Sequence, residues 1–211
     1  MQPIQNIMHC YDSTAAEYTG KFMNELDHKH LDKILLYAFA DENKDKGKLI
    51  DLGCGPGQTT MLLKNYGVHD IIGMDLSAEM VAQANGLNPD IEFETGDMLQ
   101  LKYTDESFGS AVAFYAIVHF DDAALSKAFT EIYRILKPGG QLLLSYHIGD
   151  GMVHYDNFLD KPVNIDFYMW QTDKVLAHAQ NAGFTTVDVI ERRPYADVEY
   201  PSTRAYLWLN K

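Results

Sequence analysis

The sequence has few cysteines, comparatively little positive charge and no long hydrophobic run, and each shortage closes off a class of protein. Cys10 and Cys54 are its two cysteines in 211 residues. Far apart and without partners at metal-ligand spacing, they support neither a disulfide framework nor a zinc module and suit a cytoplasmic location. Lys and Arg number 17 against 30 Asp and Glu, a formal net charge of -13, so a polyphosphate backbone is repelled and a small-molecule partner is favoured over nucleic acid. The longest mainly apolar stretch, residues 111–118, is too short to span a bilayer. The opening Met1-Gln2-Pro3-Ile4-Gln5-Asn6 has neither the basic nor the apolar region of an export signal, so no membrane or export role is expected. Internal repeats and low-complexity segments are also lacking.

What is present is enough apolar residue, 46% of the chain, to bury one substantial core. The first 40 or so residues read as helix: Thr14-Ala15-Ala16-Glu17 fits a capping box, and Leu31, Ile34, Leu35 and Phe39 recur on one helical face. A polar break at 41–47 ends them. Short apolar runs then follow at 48–52, 70–74, 91–95, 110–116 and 141–146, separated by stretches with helical signals, which predicts parallel strands joined by helical crossovers. Ser77, Asp121 and Thr172 are the expected N-caps, Lys137-Pro138-Gly139-Gly140 a stop and turn, and Gly183 a C-cap. Alternating runs at 184–192 and 203–210 predict a terminal antiparallel hairpin. The segment 148–171 has no clear period and is expected to be a substrate lid or insertion.

The chemistry concentrates at strand ends. Lys48-Leu49-Ile50-Asp51-Leu52 runs directly into Gly53, Cys54, Gly55, Pro56 and Gly57 and then into a helix start, an arrangement that brings bare backbone close to a ligand. A nicotinamide dinucleotide loop spaces its glycines G-x-G-x-x-G; here Gly57 follows Gly55 after one proline, which argues for a different adenosyl cofactor. Asp75 ends the second strand, where a Rossmann-like fold holds ribose hydroxyls. Gly96-Asp97-Met98 ends the third, and Tyr115 to His119 leave the fourth.

The loop Asp51-Leu52-Gly53-Cys54-Gly55-Pro56-Gly57 resembles that of the class I methyltransferases, specifically small bacterial members, and the resemblance covers roughly residues 48–146. It implies an α/β fold: a three-layer Rossmann-like sandwich with a seven-stranded, mostly parallel sheet, the last strand antiparallel and helices on both faces. Residues 1–47 would form a helical lid over the cofactor site and 48–211 the Rossmann-like domain with its insertion at about 148–171. It further implies S-adenosyl-L-methionine as cofactor, S-adenosyl-L-homocysteine as product and a small-molecule methyl acceptor. By that resemblance Gly53, Cys54, Gly55 and Gly57 pack against the amino-acid part of the cofactor and Asp51 holds its ammonium. Asp75 takes the ribose with Leu76 beside it, Asp97 the adenine amino group with Met98 bordering the ring, and Tyr115 lies near the methyl group. Tyr11 and Tyr18, in a Tyr-Asp-x-x-Ala-x-x-Tyr stretch, are similar to residues that close over the cofactor.

Methyl transfer from a sulfonium needs alignment and exclusion of water, and a base only if the nucleophile must lose a proton. His119 and His147, each at a strand end, are the candidate bases. His147, His154 and Asp156 lack diagnostic metal-ligand spacing, so no metal is expected. Tyr146, Tyr155, Phe158, Phe167, Tyr168 and Trp170 are candidates for a substrate pocket, by stacking on an aromatic acceptor or caging an amine, or for lid core. Two other classes stay open, a nicotinamide oxidoreductase and a non-catalytic binder of S-adenosylmethionine or its product.

Overall fold

The computed structural model describes residues 2–211; Met1, the first residue of the opening stretch read above, lies outside them. The described chain runs α1 (Ile4–Phe22), a 3₁₀ turn (Glu25–His28), α2 (His30–Asn43), β1 (Leu49–Leu52), α3 (Gln58–Asn65), β2 (Ile71–Asp75), α4 (Ala78–Leu87) and β3 (Glu92–Thr95). It continues through β4 (Phe108–Phe114), α5 (Asp122–Ile135), β5 (Leu136–Ile148), β6 (Met152–Phe158), β7 (Lys161–Tyr168), α6 (Thr172–Ala182), β8 (Thr185–Arg192) and β9 (Thr203–Asn210). Seven strands form one sheet in the order β3-β2-β1-β4-β5-β9-β8, with β6 and β7 in a separate pair. Strands β1 to β5 are parallel, and β9 runs antiparallel to both β5 and β8.

Two-residue alternation sorts each central strand onto two cores. Ile50 and Leu52 of β1, with Ile72, Ala111, Ala113, Leu142 and Leu144, face α5 and α6. Leu49, Ile71, Val112 and Leu143 face α2, α3 and α4 on the other side. Both faces are therefore covered, which is why β1 and β4 read as continuous apolar runs. The expected three-layer sandwich is the fold, and the 184–192 and 203–210 runs are its terminal hairpin. Ser77 and Asp121 cap α4 and α5 as expected, accepting from the N–H groups of Met80 and Ala124. Gly183 ends α6 in the left-handed region. Among the described residues no helix is long and apolar enough to cross a membrane.

Three local expectations are corrected, and a fourth segment holds an element that its sequence did not signal. Thr14 is not an N-cap: α1 has already begun behind Pro3, whose fixed φ suits a helix entry, and the Thr14 hydroxyl donates back to the Cys10 carbonyl at 2.7 Å. Ile34 is 63% exposed; the buried face of α2 is rotated to Asp32, Leu35, Leu36, Phe39 and Ala40 because Asp32 is drawn inward to ionic partners. Thr172 is the first helical residue rather than the cap, its hydroxyl donating to Glu191. The aperiodic segment 148–171 contains a β-hairpin, β6 paired with β7, turning at Leu159 and Asp160 with φ of 49° and 62°. Two positive φ values match the type I′ hairpin turn, usually signalled by Asn-Gly and here made by residues that give no such signal.

Phe39 is fully buried and meets the Trp208 ring edge-on at a centroid distance of 5.2 Å. Phe39→Ala is expected to lower unfolding free energy by about 3–5 kcal/mol in chemical denaturation; a loss below about 1 kcal/mol would contradict the packing described.

Candidate functional site

Strand order reverses between β1 and β4, and the chain leaves these neighbours toward opposite faces, into α3 and α5 respectively. The gap beyond their carboxyl ends is where open parallel sheets receive ligands. Here it holds a cavity of about 130 Å³ whose wall includes Asp51 of β1, Gly53, Cys54 and Gly55 from the loop, Asp75 at the end of β2 with Leu76 after it, and Asp97 and Met98 after β3. Tyr11, Tyr18, Tyr115 and His119 complete it.

Gly55 adopts φ +54°, and a Cβ there would meet nothing closer than 4.0 Å, so its backbone fronts open space in the cavity. Its N–H donates to Asp75 Oδ2 at 2.8 Å, while the Ser77 N–H donates to Oδ1 at 2.9 Å. Asp75 is thereby fixed with acceptor capacity left over; its carboxyl is pushed above the usual carboxylate range by burial. Asp51 is buried beneath the loop and accepts from the Thr60 hydroxyl at 2.6 Å; burial pushes its carboxyl up to about 7. Gln58, at the start of α3, lines the same cavity and leaves a buried Oε1 without a hydrogen-bond partner among the described residues. Asp97 lines the cavity and accepts from the Leu99 N–H at 2.8 Å, while Met98 is buried in the core beside it.

Gly57 departs from the expected set. It is not on the cavity wall but underneath, at φ +88°, where a Cβ would lie 2.8 Å from the Phe93 ring. Its glycine serves packing of the loop on β3.

Tyr11, Tyr18, Tyr115 and His119 mark the way out of this cavity. The Tyr11 hydroxyl and His119 Nε2 are 2.8 Å apart, and His119 Nδ1 is 2.8 Å from the Asp166 carbonyl. A carbonyl only accepts, so Nδ1 carries the proton and Nε2 accepts from Tyr11. Burial pushes the imidazole down to about 4. Tyr115 sits at φ +55°, a left-handed conformation costly for a non-glycine residue, held by its N–H donating to the Ser145 carbonyl at 2.9 Å.

Tyr11, Tyr18, Tyr115 and Val118 also line a second, larger cavity of about 550 Å³, so the two spaces adjoin across these side chains. His147 belongs to the second cavity and not the first, its Nδ1 2.7 Å from the Ser202 hydroxyl; burial, with Arg204 and Lys29 nearby, pushes it down to about 4. Of the expected aromatic set, Tyr155, Phe158, Phe167 and Tyr168 line this space, whereas Tyr146 and Trp170 are core residues beneath the sheet. The hairpin that supplies them packs on α1 through Cys10, Val163 and Ile165. His154 lies outside, bonded to Asp166 at 2.7 Å and Asp156 at 3.1 Å. No group of three or more His, Cys, Asp or Glu among the described residues is placed to hold a metal.

A buried ionic network under the second cavity went unread in the sequence. Arg192 donates to Glu199 through both terminal nitrogens, at 2.7 and 2.9 Å, and to Asp32 at 2.9 Å. Tyr206 donates to Asp32 at 2.5 Å, Lys29 pairs with Glu25 at 2.7 Å, and Arg204 Nε lies 3.2 Å from Glu199. Burial alone would raise the Glu199 carboxyl, but Arg192, the Tyr195 N–H and Arg204 hold it down at about 2. The available signal was Arg204 itself, a charge inside the apolar run of β9, which is tolerated only when paired.

Sheet order, cover helices and the switch-point loop define a Rossmann-like α/β protein. Comparison with known proteins makes the class specific: residues 49–140 match the family model of a methyltransferase domain. The malonyl-[acyl-carrier protein] O-methyltransferase of Erwinia billingiae is 38% identical over 105 residues, 50% of this chain and 41% of that protein. The demethylmenaquinone methyltransferase of Chlorobaculum parvum is 29% identical over 141 residues, 64% of this chain and 57% of that protein. A SAM-dependent methyltransferase structure from Methanosarcina mazei superposes with a TM-score of 0.72 at 16% identity, covering 81% of this chain and 95% of that one. Residues 49–140 thus carry a methyltransferase domain, set in a chain with the Rossmann-like fold of that structure; the chain spans about half the length of the curated relatives it matches.

An imidazole depressed on folding from 6.5 to about 4 lends stability above pH 6.5 that is lost as pH falls toward 4. Nitrogen-15 shifts of His119 are accordingly expected to report a neutral Nδ1–H ring from about pH 8 down to about pH 5. A titration midpoint near 6.5 would contradict its placement.

Proposed function

We propose that the protein transfers a methyl group from S-adenosylmethionine to a small-molecule acceptor, with the cofactor in the first cavity and the acceptor in the second. One observation carries this reading: the loop, Asp75 and Asp97 converge on a single cavity that adjoins a second, aromatic-lined one through Tyr11, Tyr18 and Tyr115. The open backbone at Gly55 and the unpartnered Gln58 Oε1 fit the amino-acid end of the cofactor, a zwitterion with an ammonium to be satisfied. When bound, S-adenosylmethionine supplies a methyl group already activated by a positive sulfur.

The chain's own residues bind and align. Asp51, with Gln58, takes the ammonium; the Gly53, Cys54 and Gly55 backbone lies along the amino-acid chain. Asp75 accepts from the ribose hydroxyls with Leu76 against the sugar, and Asp97 accepts from the adenine amino group with Met98 on the ring. Tyr11 and Tyr18, carried on α1, close the space, which makes residues 1–47 a lid and the β6–β7 hairpin the acceptor's outer wall. With Nε2 already accepting from Tyr11, His119 positions that hydroxyl and does not itself serve as base. The two buried free thiols suit a reducing cytoplasm. A nicotinamide cofactor fits less well, because Gly57 is packed under Phe93 rather than presented to a pyrophosphate.

Calorimetry with S-adenosylmethionine, S-adenosylhomocysteine and NADH tests the reading. Both sulfur compounds are expected to bind and NADH not, and Asp75→Ala to weaken them about ten- to hundredfold. Because Asp51 titrates at about 7 and a bound ammonium favours its charged form, binding near pH 7 is expected to release protons, seen as a dependence of enthalpy on buffer. NADH binding in place of the sulfur compounds, or normal affinity in Asp75→Ala, would contradict the assignment.

A further inference from the structure

We propose that the acceptor is an apolar, ring-bearing molecule whose nucleophile is an ionised oxygen, a carboxylate or acidic phenol, seated against Lys29, His147 and Arg204 in the second cavity. The inference rests on the methyl-transfer reading above and adds the acceptor's chemical class to it.

Lys29 and Arg204, both buried, and the half-buried His147 bring hydrogen-bond donors to the polar wall of the cavity. Arg204 is 2% exposed, yet its hydrogen bonds all leave from Nη1, to the Tyr200 and Ser202 carbonyls and the Ser202 hydroxyl. Its Nε lies 3.2 Å from Glu199 Oε1 in an ion pair but makes no hydrogen bond among the described residues. Lys29 is buried, with one close partner in Glu25 at 2.7 Å and Glu199 farther away at 3.7 Å. Of the three carboxylates on the same wall, Glu199 receives both Arg192 nitrogens and the Tyr195 N–H, Glu25 receives Lys29, and Asp197 is exposed to solvent. An unfilled buried donor is costly, and an anion satisfies several at once. A cationic amine would instead meet Lys29 and Arg204 with like charge. Phe22, Val153, Phe158 and Phe167 make the remaining wall apolar.

The donors also stand where the methyl group arrives. Lys29 Nζ lies 4.8 Å from the centre of the Tyr115 ring and the His147 ring centre 5.2 Å from it at a tilt of 42°, while Tyr115 borders both cavities. The neighbouring groups are poor bases: both His119 nitrogens are engaged, Glu199 is enclosed by its cations, and His147, one nitrogen bonded to Ser202, is held down at about 4 by burial. A nucleophile ionised before it binds requires none. Its oxygen lone pair forms the new O–C bond as the C–S bond breaks, the bonding pair staying on sulfur. The acceptor oxygen becomes a neutral ester or ether, the sulfonium a neutral thioether, and no proton moves.

The test titrates 3-phenylpropanoate, 3-phenylpropanamide and 3-phenylpropylamine into the protein saturated with S-adenosylhomocysteine. The carboxylate is expected to bind about tenfold tighter than either analogue. Lys29→Met is expected to remove that preference and leave S-adenosylhomocysteine affinity unchanged; if it does not fold, the wild-type series decides alone. Equal or tighter binding of the amide or amine, or no binding of any of the three at about 10 mM, would overturn the proposal. Failure of S-adenosylhomocysteine to bind sinks the methyl-transfer reading and this inference with it, whereas its binding without a carboxylate preference sinks this inference alone.

Discussion

The reversal of strand order between β1 and β4 is the constraint on which the site depends. Because α3 covers one face and α5 the other, the backbone must part beyond Leu52 and Phe114, and no helix can fill the gap. Everything placed there inherits its position from a buried strand: Asp51 from β1, Asp75 from β2, Tyr115 from the end of β4. The floor of the site is therefore set by the sheet, and over it lie α1 and the β6–β7 hairpin, which pack on each other through a core of their own. Gln2 fastens this layer by bonding both the N–H and the carbonyl of Asp166, at 2.9 and 2.8 Å, the same carbonyl that orients His119.

The ionic network beneath the second cavity is the second organising element. It joins α2 through Asp32, the end of β8 through Arg192, the following loop through Glu199 and β9 through Arg204 and Tyr206. Buried ion pairs add little net stability over apolar packing, but removing one partner strands a charge, so such a network fixes geometry more than it strengthens the fold. Here it holds the Tyr115 hydroxyl, 3.2 Å from that of Tyr206, and so supports a strained residue on the border between cavities.

Much of this was legible in the sequence. The parallel core followed from short apolar runs alternating with helices, and the glycine loop, Asp75 and Asp97 were placed by their positions at strand ends, all on one cavity wall. Gly57 was legible as a glycine but not as a packing glycine, because the Phe93 ring that requires it lies 36 residues away in sequence (93 − 57). The 148–171 hairpin was hidden because polar side chains cover its exposed face and Leu159-Asp160 makes its turn without glycine. Asp32, Arg192, Glu199 and Arg204 were unreadable for a related reason: long-range charge pairing leaves no periodic trace, and only an arginine inside an apolar strand hints at it. The two histidines were found by position, but what each nitrogen touches is a property of the folded chain.

The account's central claim is that the two adjoining cavities divide cofactor from acceptor along a border drawn by Tyr11, Tyr18 and Tyr115. A crystal structure with S-adenosylhomocysteine bound tests it most directly. The account predicts the ribose on Asp75, the amino group beside Asp51 and the sulfur at that border, facing the space before His147. A sulfur turned away from that space, or a ligand seated outside the Asp51, Asp75 and Asp97 wall, would contradict it.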